Sequence, residues 1–498
     1  MPAWLLLIPG FAALALWLAR PAPRTSRVFS LAVAALLMVL ALRLVVRTGG
    51  GEIVVHAFGG WRAPYGIAFA VDRLSALFVA LHAALLLVTL GVLRPQVHGA
   101  RTLVRAHPLL FALTAGLFGA FMTGDLFNLF VMFELVLVVS YLLLQVPGSD
   151  RSLTAALPVV VVNVLASALF LAGLAVLYGI GGSTNLADLT QRFADAPPAL
   201  RRAGLGLLVA AFATKAAVVP LCFWMPASYP TLSAPLAALF AGIMSKLGVY
   251  ALLRTQPLLA IDPTLGDALV WAGGLSALVG VLAALSQYEM RRLLAFHSVS
   301  QVGYMVLALG LGSETGVAAA IFFALHHSLV KSALYLVADE LERRNATRDL
   351  RRMDFRKAAD TTLVACFGLA AFSLAGLPPF SGFLGKLGVF RAAWEGGERV
   401  GLALLVTASL FTLASMLKIW RFSFQRRPMG DGGRAAAPIG ARPPLAAIAT
   451  LILALGFGAA PVFEYARQAA AGVLDPAPYA GAVLATGDHP RPGEGEAP

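Results

Sequence analysis

Lysine is almost missing from this chain. Of the 38 Lys+Arg residues among 498, six are lysine and the remaining 32 are arginine. Cysteine is scarcer still: Cys222 and Cys366 lie far apart in apolar stretches, which leaves no disulfide framework and no cysteine metal site. Charge of either sign is thin, 13% of residues against 59% hydrophobic, with a mean hydropathy of +0.81. There is no Gly-rich nucleotide loop, no CxxC pair and no HExxH, so neither a cofactor nor a bound metal is expected and the chain does not read as an enzyme.

What is present is a succession of apolar stretches of about 20 residues, each long enough to span a bilayer. About fourteen spans are predicted, near 3–19, 26–46, 66–93, 107–124, 126–146, 153–180, 200–224, 232–254, 264–286, 292–313, 315–337, 361–392, 398–421 and 443–464. Lipid leaves open backbone groups unsatisfied, so an all-α polytopic membrane protein is the expected fold. The formal charge of +13 does not point to nucleic acid, because it is sorted by loop. Odd loops hold roughly 21 Lys/Arg and even loops roughly 8, which places the odd loops in the cytoplasm and both termini outside. The loop after span 11 is the extreme: Arg343, Arg344, Arg348, Arg351, Arg352, Arg356 and Lys357 alternate with Asp339, Glu340, Glu342, Asp349 and Asp354. That mixture suits a solvated or partner-facing loop. Arg20, Arg24 and Arg27 follow the first apolar run rather than precede it, the reverse of a secretory signal, so a retained first helix is expected. Residues 425–444 read as a flexible loop, and the stretch after about residue 468 as a poorly ordered tail.

The position of the lysines is the informative part. Lys215, Lys246, Lys331, Lys386 and Lys418 fall in or beside apolar runs, and only Lys357 lies in a polar loop. A GC-rich genome explains few lysines but not where they sit. Lysine in a low-dielectric interior can release its proton, whereas arginine stays charged, and ionisable residues at membrane depth mark ion or proton pathways by default. Two of these lysines flank interrupted helices. Lys215 precedes Pro220 and Pro226 in TKAAVVPLCFWMP, and LAGLPPFSGFLGK carries Gly376, Pro378, Pro379, Gly382 and Gly385 up to Lys386. Proline removes a helical hydrogen bond, so spans 7 and 12 should break. With halves made of spans 4–8 and 9–13, both breaks fall on the fourth helix, the pattern of a transport site built from repeats.

Glu134, mid-span in LFNLFVMFELVLVVSYLLL, needs a partner at that depth, and Lys215 is the natural one; a static ion pair is the plainer alternative. Lys246 lies between Gly242 and Gly248, which thin its helix. His327 and Lys331, four apart, share a helix face, and His326 points elsewhere; histidine can pass a proton through both ring nitrogens. His297 suits a hydrogen-bonded structural role equally well. Lys386 stands as the last station of the row. Lys418, three residues before Arg421, reads more simply as a snorkelling side chain, and Asp72, Arg73 and Asp125 as helix caps or anchors.

The segments TGDLFNLFVMFELVLVVSYLLL (123–144), KAAVVPLCFWMPASYPTLSAPLAALFAGIMSKLGVYALLR (215–254), RRLLAFHSVSQVGYM (291–305) and LAGLPPFSGFLGK (374–386) resemble the antiporter-like subunits of respiratory complex I, membrane-bound hydrogenases and Mrp-type sodium/proton antiporters. Among these, the D-type Mrp subunits are the nearest pattern. The resemblance runs from about Tyr65 to about Arg421. It implies fourteen helices with two inverted five-helix repeats and broken helices 7 and 12. It divides the chain into 1–106, 107–254, 255–421 and 422–498, the last piece comprising a cytoplasmic loop, helix 14 and a tail. It implies that Glu134 and Lys215 match the family's helix-5 glutamate and broken-helix lysine, and Lys246 its middle lysine. His326, His327 and Lys331 fall in the helix-11 His/Lys region and Lys386 matches the helix-12 lysine. The expected function is proton translocation in a multisubunit cation/proton antiporter, or else in a redox-driven proton pump of the complex I type. Other membrane subunits are the expected partners, protons and a monovalent cation (sodium) the cargo, and the bacterial inner membrane the location. TLSAP (231–235) departs from the family's Pro-rich turn, and the long lateral helix of its largest members has no counterpart here.

Overall fold

The computed structural model describes residues 1–93, 99–146, 148, 150–193, 196–354, 360–425 and 442–486. Lys357 and most of the expected loop at 425–444 lie outside the described residues. Among the described residues, eleven helices are long and apolar enough to cross a membrane, and a bent pair adds a twelfth. This is a multi-pass, predominantly helical membrane fold. The expected spans 7 and 12 are present as broken helices, and span 14 is the bent pair, α17 (Arg442–Phe457) and α18 (Ala459–Leu474), which meet at 76°.

The helices, in chain order, are α1 (Pro2–Ala19), α2 (Pro23–Gly49), α3 (Arg73–Val92), α4 (Ala100–Met122), α5 (Leu126–Leu144), α6 (Asp150–Gly181), α7 (Leu186–Arg192), α8 (Pro198–Ala216) and α9 (Trp224–Ser228). There follow α10 (Ala234–Arg254), α11 (Pro263–Ser286), α12 (Met290–Gly310), α13 (Glu314–Asn345), α14 (Thr361–Ala375), α15 (Ser381–Glu395) and α16 (Arg399–Trp420). Carboxylates start several of them: Asp72 Oδ1 accepts from Ser75 N at 2.9 Å, and Asp125 Oδ1 from Asn128 N at 2.8 Å. Each satisfies one of the donors that a helix start leaves open.

Two expectations need correction. A hairpin, β1 (Val54–Ala57) paired antiparallel with β2 (Ala68–Val71), interrupts the all-helical pattern, so span 3 begins at Arg73 rather than near residue 66. The run AFAV is apolar on every residue, and a short apolar run does not distinguish strand from helix by periodicity. The stretch after residue 468 is helical as far as it is described. The helix α18 continues to Leu474 and α19 (Ala477–Leu484) follows, because Tyr479, Ala480 and Val483 are buried against Ala63, Ala68, Ala70 and Ala187. Alanine-rich composition concealed that contact; residues 487–498 lie outside the described ones.

Burial sorts the helices by depth. The innermost are α10, α12 and α13, whereas α1 and α2 keep most of their surface exposed. Small residues let the inner helices approach closely, as in membrane packing generally. A Cβ at Gly273 of α11 would stand 2.4 Å from Leu307 N of α12, and one at Gly248 of α10 would stand 2.4 Å from Ala216 N of α8.

Candidate functional site

The first break explains the setting of Lys215. Helix α8 ends because Ala217 takes a left-handed conformation (φ 65°) and Pro220 follows. The polar groups freed there find new partners: Val219 N donates to Ser276 Oγ at 2.9 Å, and Trp224 Nε1 donates to Thr214 O at 3.0 Å. Non-helical backbone at membrane depth persists only when resatisfied in this way. Lys215, in the last turn before the break, is 4% exposed. Its Nζ donates to Ser167 Oγ at 3.2 Å, and Ser167 Oγ donates to Glu134 Oε1. The half-buried Glu134 and Lys215 are therefore joined through a serine on α6 rather than as a direct ion pair. Sequence reasoning missed Ser167, since a serine within an apolar run carries no signal of its partner.

The second break holds Lys386. Gly376 caps α14 with φ 85°, and α15 returns so closely that a Cβ on Gly382 would lie 1.7 Å from Ser373 O. Lys386 Nζ donates to Ala375 O at 2.9 Å and to Ser409 Oγ at 3.0 Å, 5.4 Å from the Tyr304 ring centroid. Ser381 Oγ, at the start of α15, meets His326 Nδ1 of α13 at 2.9 Å.

Between the breaks lie fully buried cations and imidazoles. Lys246 Nζ donates to Ala241 O at 2.8 Å, and Lys331 Nζ donates to Leu294 O at 2.6 Å. His297 Nε2 meets Ser415 Oγ at 2.8 Å. Neither ring nitrogen of His327, and neither amide atom of the buried Gln301, has a hydrogen-bond partner among the described residues. Lys246 and Lys331 are within electrostatic range of His327, as are Lys246 and Lys386 of His326, and Lys331 and Lys386 of His297. Lys246 through Lys386 thus form one connected group, and Glu134 with Lys215 a second. Lys215 lines a small cavity with Ser140, Asn163, Ser228, Met244 and Leu247.

Among the described residues none of these lysines has a carboxylate within ion-pair distance, and no cluster of three His, Cys, Asp or Glu side chains could hold a metal ion. Lys418 stands apart. Its Nζ donates to Leu285 O and Gln287 O, both at 2.7 Å, and closes the C-terminal end of α11 as a basic side chain at a helix end does.

Sequence reasoning also missed two buried arginines. Arg254 grips Asp72 with both nitrogens, at 2.7 and 2.8 Å. Arg291 binds Glu342 at 2.7 Å and Asp339 at 3.1 Å. At the end of α13 Arg343 pairs with Asp339 and Arg344 with Glu340 and Asp360, and in the loop that follows Arg351 pairs with Asp349.

Comparison with known proteins agrees with this architecture. The family described as NADH:quinone oxidoreductase/Mrp antiporter, TM, matches residues 123–412. The D-type subunit of a Na(+)/H(+) antiporter from Alkalihalophilus pseudofirmus is 37% identical over 456 residues, covering 90% of this chain and 92% of its own length. A chain of the Mrp complex from Dietzia sp. DQ12-45-1b superposes with a TM-score of 0.90 at 31% identity, covering 97% of this chain and 99% of that one. A chain of respiratory complex I from Thermus thermophilus gives a TM-score of 0.77 at 29% identity, covering 93% and 99%. The fold, the two broken helices and these likenesses together show that this chain belongs to the NADH:quinone oxidoreductase/Mrp antiporter family of membrane subunits.

Proposed function

We propose that this chain is the proton-translocating membrane subunit of a multisubunit cation/proton antiporter, a transporter component rather than an enzyme. In this reading Glu134, Lys215, Lys246, His326, His327, Lys331 and Lys386 form a mid-membrane relay. The observation that carries it is the set of four lysines at most 4% exposed whose ammonium groups meet only neutral oxygens. A buried cation kept for structure is normally paired; a group that must give up and regain a proton is better served by acceptors indifferent to its charge. Water bridges the lysines and imidazoles, and the orphaned nitrogens of His327 and the amide of Gln301 supply its anchoring points. The two inverted repeats, 107–254 and 255–421, contribute one broken helix each. Moving one charge across the membrane is worth about 2.3 kcal/mol per 100 mV, so the proton-motive force drives export of a monovalent cation, sodium, through a neighbouring subunit.

The likeness to the antiporter named for Alkalihalophilus pseudofirmus supports this driver, and the likeness to a complex I chain favours a second one, electron transfer. In vesicles containing the assembled complex, Lys215→Ala or Glu134→Ala should abolish sodium-dependent proton movement while assembly persists. Unchanged movement in either variant sinks the relay. Copurification of Fe–S, flavin or nickel subunits would transfer the same relay to a redox driver.

A further inference from the structure

Lys418 is the one lysine beside an apolar run that the relay leaves out, and it stands where three segments meet. Its Nζ donates to Leu285 O and Gln287 O at the end of α11 and lies 3.8 Å from the centroid of the Tyr288 ring. The backbone of Tyr288 pairs with the loop after α13, where Leu350 N donates to Tyr288 O at 2.9 Å. That pairing brings Arg351 Cζ within 4.7 Å of the same ring. Beyond Trp420, α16 widens into a π-helical turn, Arg421–Gln425, a form often found at functional positions. The turn sets the Phe422 ring 5.9 Å from the Tyr288 ring and packs against Leu350–Arg352.

Charge is unbalanced at this junction. Lys418, Arg351, Arg352 and Arg421 gather near one carboxylate, Asp349, which Arg351 holds at 2.8 Å. The neighbouring Glu289 faces Arg348 at 3.7 Å. Among the described residues Arg352 and Arg421, both exposed, have no carboxylate within ion-pair distance. Lys418 and Arg421, three residues apart, are neighbours on one helix face. Like charges so close repel one another, and an added anion would complete the set.

The surface beneath the cluster selects the anion. The helices α11 and α16 run side by side in parallel. A Cβ on Gly401 would stand 3.7 Å from Val270 Cγ1, one on Gly274 would stand 3.0 Å from Leu404 Cδ1, and Lys418 reaches Leu285 at the far end. Each helix turns an apolar row outward, Leu275, Val279 and Leu282 on α11 and Val406, Leu410 and Leu417 on α16, all between 41% and 66% exposed. Both rows end at the cations. From Leu275 to Ser286 the helix rises roughly 16 Å, the depth of one leaflet of a hydrocarbon core about 30 Å thick. A soluble anion has no use for such rows; a phospholipid uses the cations and the rows together, and basic groups at the membrane edge of paired helices favour anionic headgroups.

We infer that this junction binds one anionic phospholipid in the leaflet bordering the arginine-rich loops. Arg352 and Arg421 donate to its phosphate, and the outward rows of α11 and α16 carry its acyl chains. Lys418 and Arg351 hold the Tyr288 ring that forms the wall between them. The same α16 presents Ser409 to Lys386 and Ser415 to His297, so a lipid that fixes the end of this helix also steadies two partners of the proposed relay. Binding itself does not depend on that relay.

The test uses the purified intact complex, washed free of lipid with detergent, and follows phosphatidylglycerol binding by native mass spectrometry. Arg352→Gln/Arg421→Gln should weaken the retention of one phosphatidylglycerol tenfold or more. Arg20→Gln/Arg24→Gln, which removes two exposed arginines where α1 gives way to α2, should leave it unchanged. Equal loss in both double variants would mean diffuse surface charge, and no loss in the first would mean no site. Displacement of the lipid by an equal concentration of glycerol 3-phosphate would mean a phosphate site without a lipid. Loss of a neighbouring subunit from the first variant would mean that these arginines hold a protein. Each of these results overturns the proposal. The wild-type complex gives a second measurement should the variant fail to assemble. Phosphatidylglycerol carrying a diazirine in its acyl chain should crosslink to the segments around Leu282 and Leu417, and phosphatidylcholine with the same label should not; equal labelling by the two lipids overturns the proposal.

Discussion

The buried cations among the described residues fall into two kinds that differ in company more than in depth. Arg254 and Arg291 are 7% and 4% exposed; Arg254, at the end of α10, is clasped by Asp72, and Arg291, at the start of α12, by Glu342 and Asp339. Lys246 and Lys331 have no exposed surface and meet only backbone carbonyls. Arginine cannot shed its proton, so burying it demands a fixed counter-charge. Lysine held by neutral oxygens can exchange a proton without breaking an ion pair. The contrast separates residues that hold helices together from residues assigned to the proposed relay, and it can be broken experimentally.

The largest effect is expected at the arginines. Arg254→Met strands Asp72, and Arg291→Met strands Asp339 and Glu342. Removing one partner of a buried pair costs about 3–5 kcal/mol, so both variants should assemble poorly and lose their thermal transition in detergent. A variant of normal stability would mean that the ion pair is not structural and that the contrast is wrong.

The lysines should behave in the opposite way. Lys331→Met keeps nearly the same volume and leaves Leu294 O with a second side-chain donor, Ser298 Oγ at 3.3 Å. Volume-conserving exchanges usually cost less than about 1.5 kcal/mol, so the melting temperature should hardly move. Flux should still fall at least tenfold, or about 1.4 kcal/mol on the transport barrier. Lys331→Arg sharpens the point, because it retains a cation that cannot be released and should be equally inactive.

Much of this was legible in the sequence. Apolar length revealed the helices, and Pro220, Pro378 and Gly376 revealed the breaks. The scarcity of lysine elsewhere singled out Lys215, Lys246, Lys331 and Lys386. What could not be read were partners distant in sequence. Ser167 is one serine among many until α6 places it between Glu134 and Lys215, and Asp72 looked like a helix cap because it is one, while its second oxygen also serves Arg254, 182 residues away. The β-hairpin was lost for a different reason: four consecutive apolar residues carry no period.

A smaller effect is expected at the serine bridge. Ser167→Ala removes the hydroxyl that accepts from Lys215 and donates to Glu134. A hydrogen bond of this kind contributes about 0.5–1.5 kcal/mol, which corresponds to a flux loss of roughly twofold to tenfold. A loss as deep as that of Lys215→Ala would make the serine an obligatory station. No loss at all would mean that glutamate and lysine meet directly during transport.

The smallest effect is expected where an ion pair is exposed. Asp349 and Arg351 meet at 2.8 Å in the loop after α13, with side chains 27% and 52% exposed. The hydrogen bond from Arg351 holds the Asp349 carboxyl below its ordinary range. A carboxylate depressed in the folded state adds stability that is fully present above its unfolded pKa of about 4 and fades as pH falls through the folded value. Exposed pairs are weak because water screens them and ordering the side chains opposes them. Asp349→Asn should therefore lower the melting temperature only slightly at pH 7, and the difference from wild type should vanish under acid conditions. A loss comparable to that of Arg291→Met would show that the loop pair is covered in the assembled complex, where the same chemistry becomes structural.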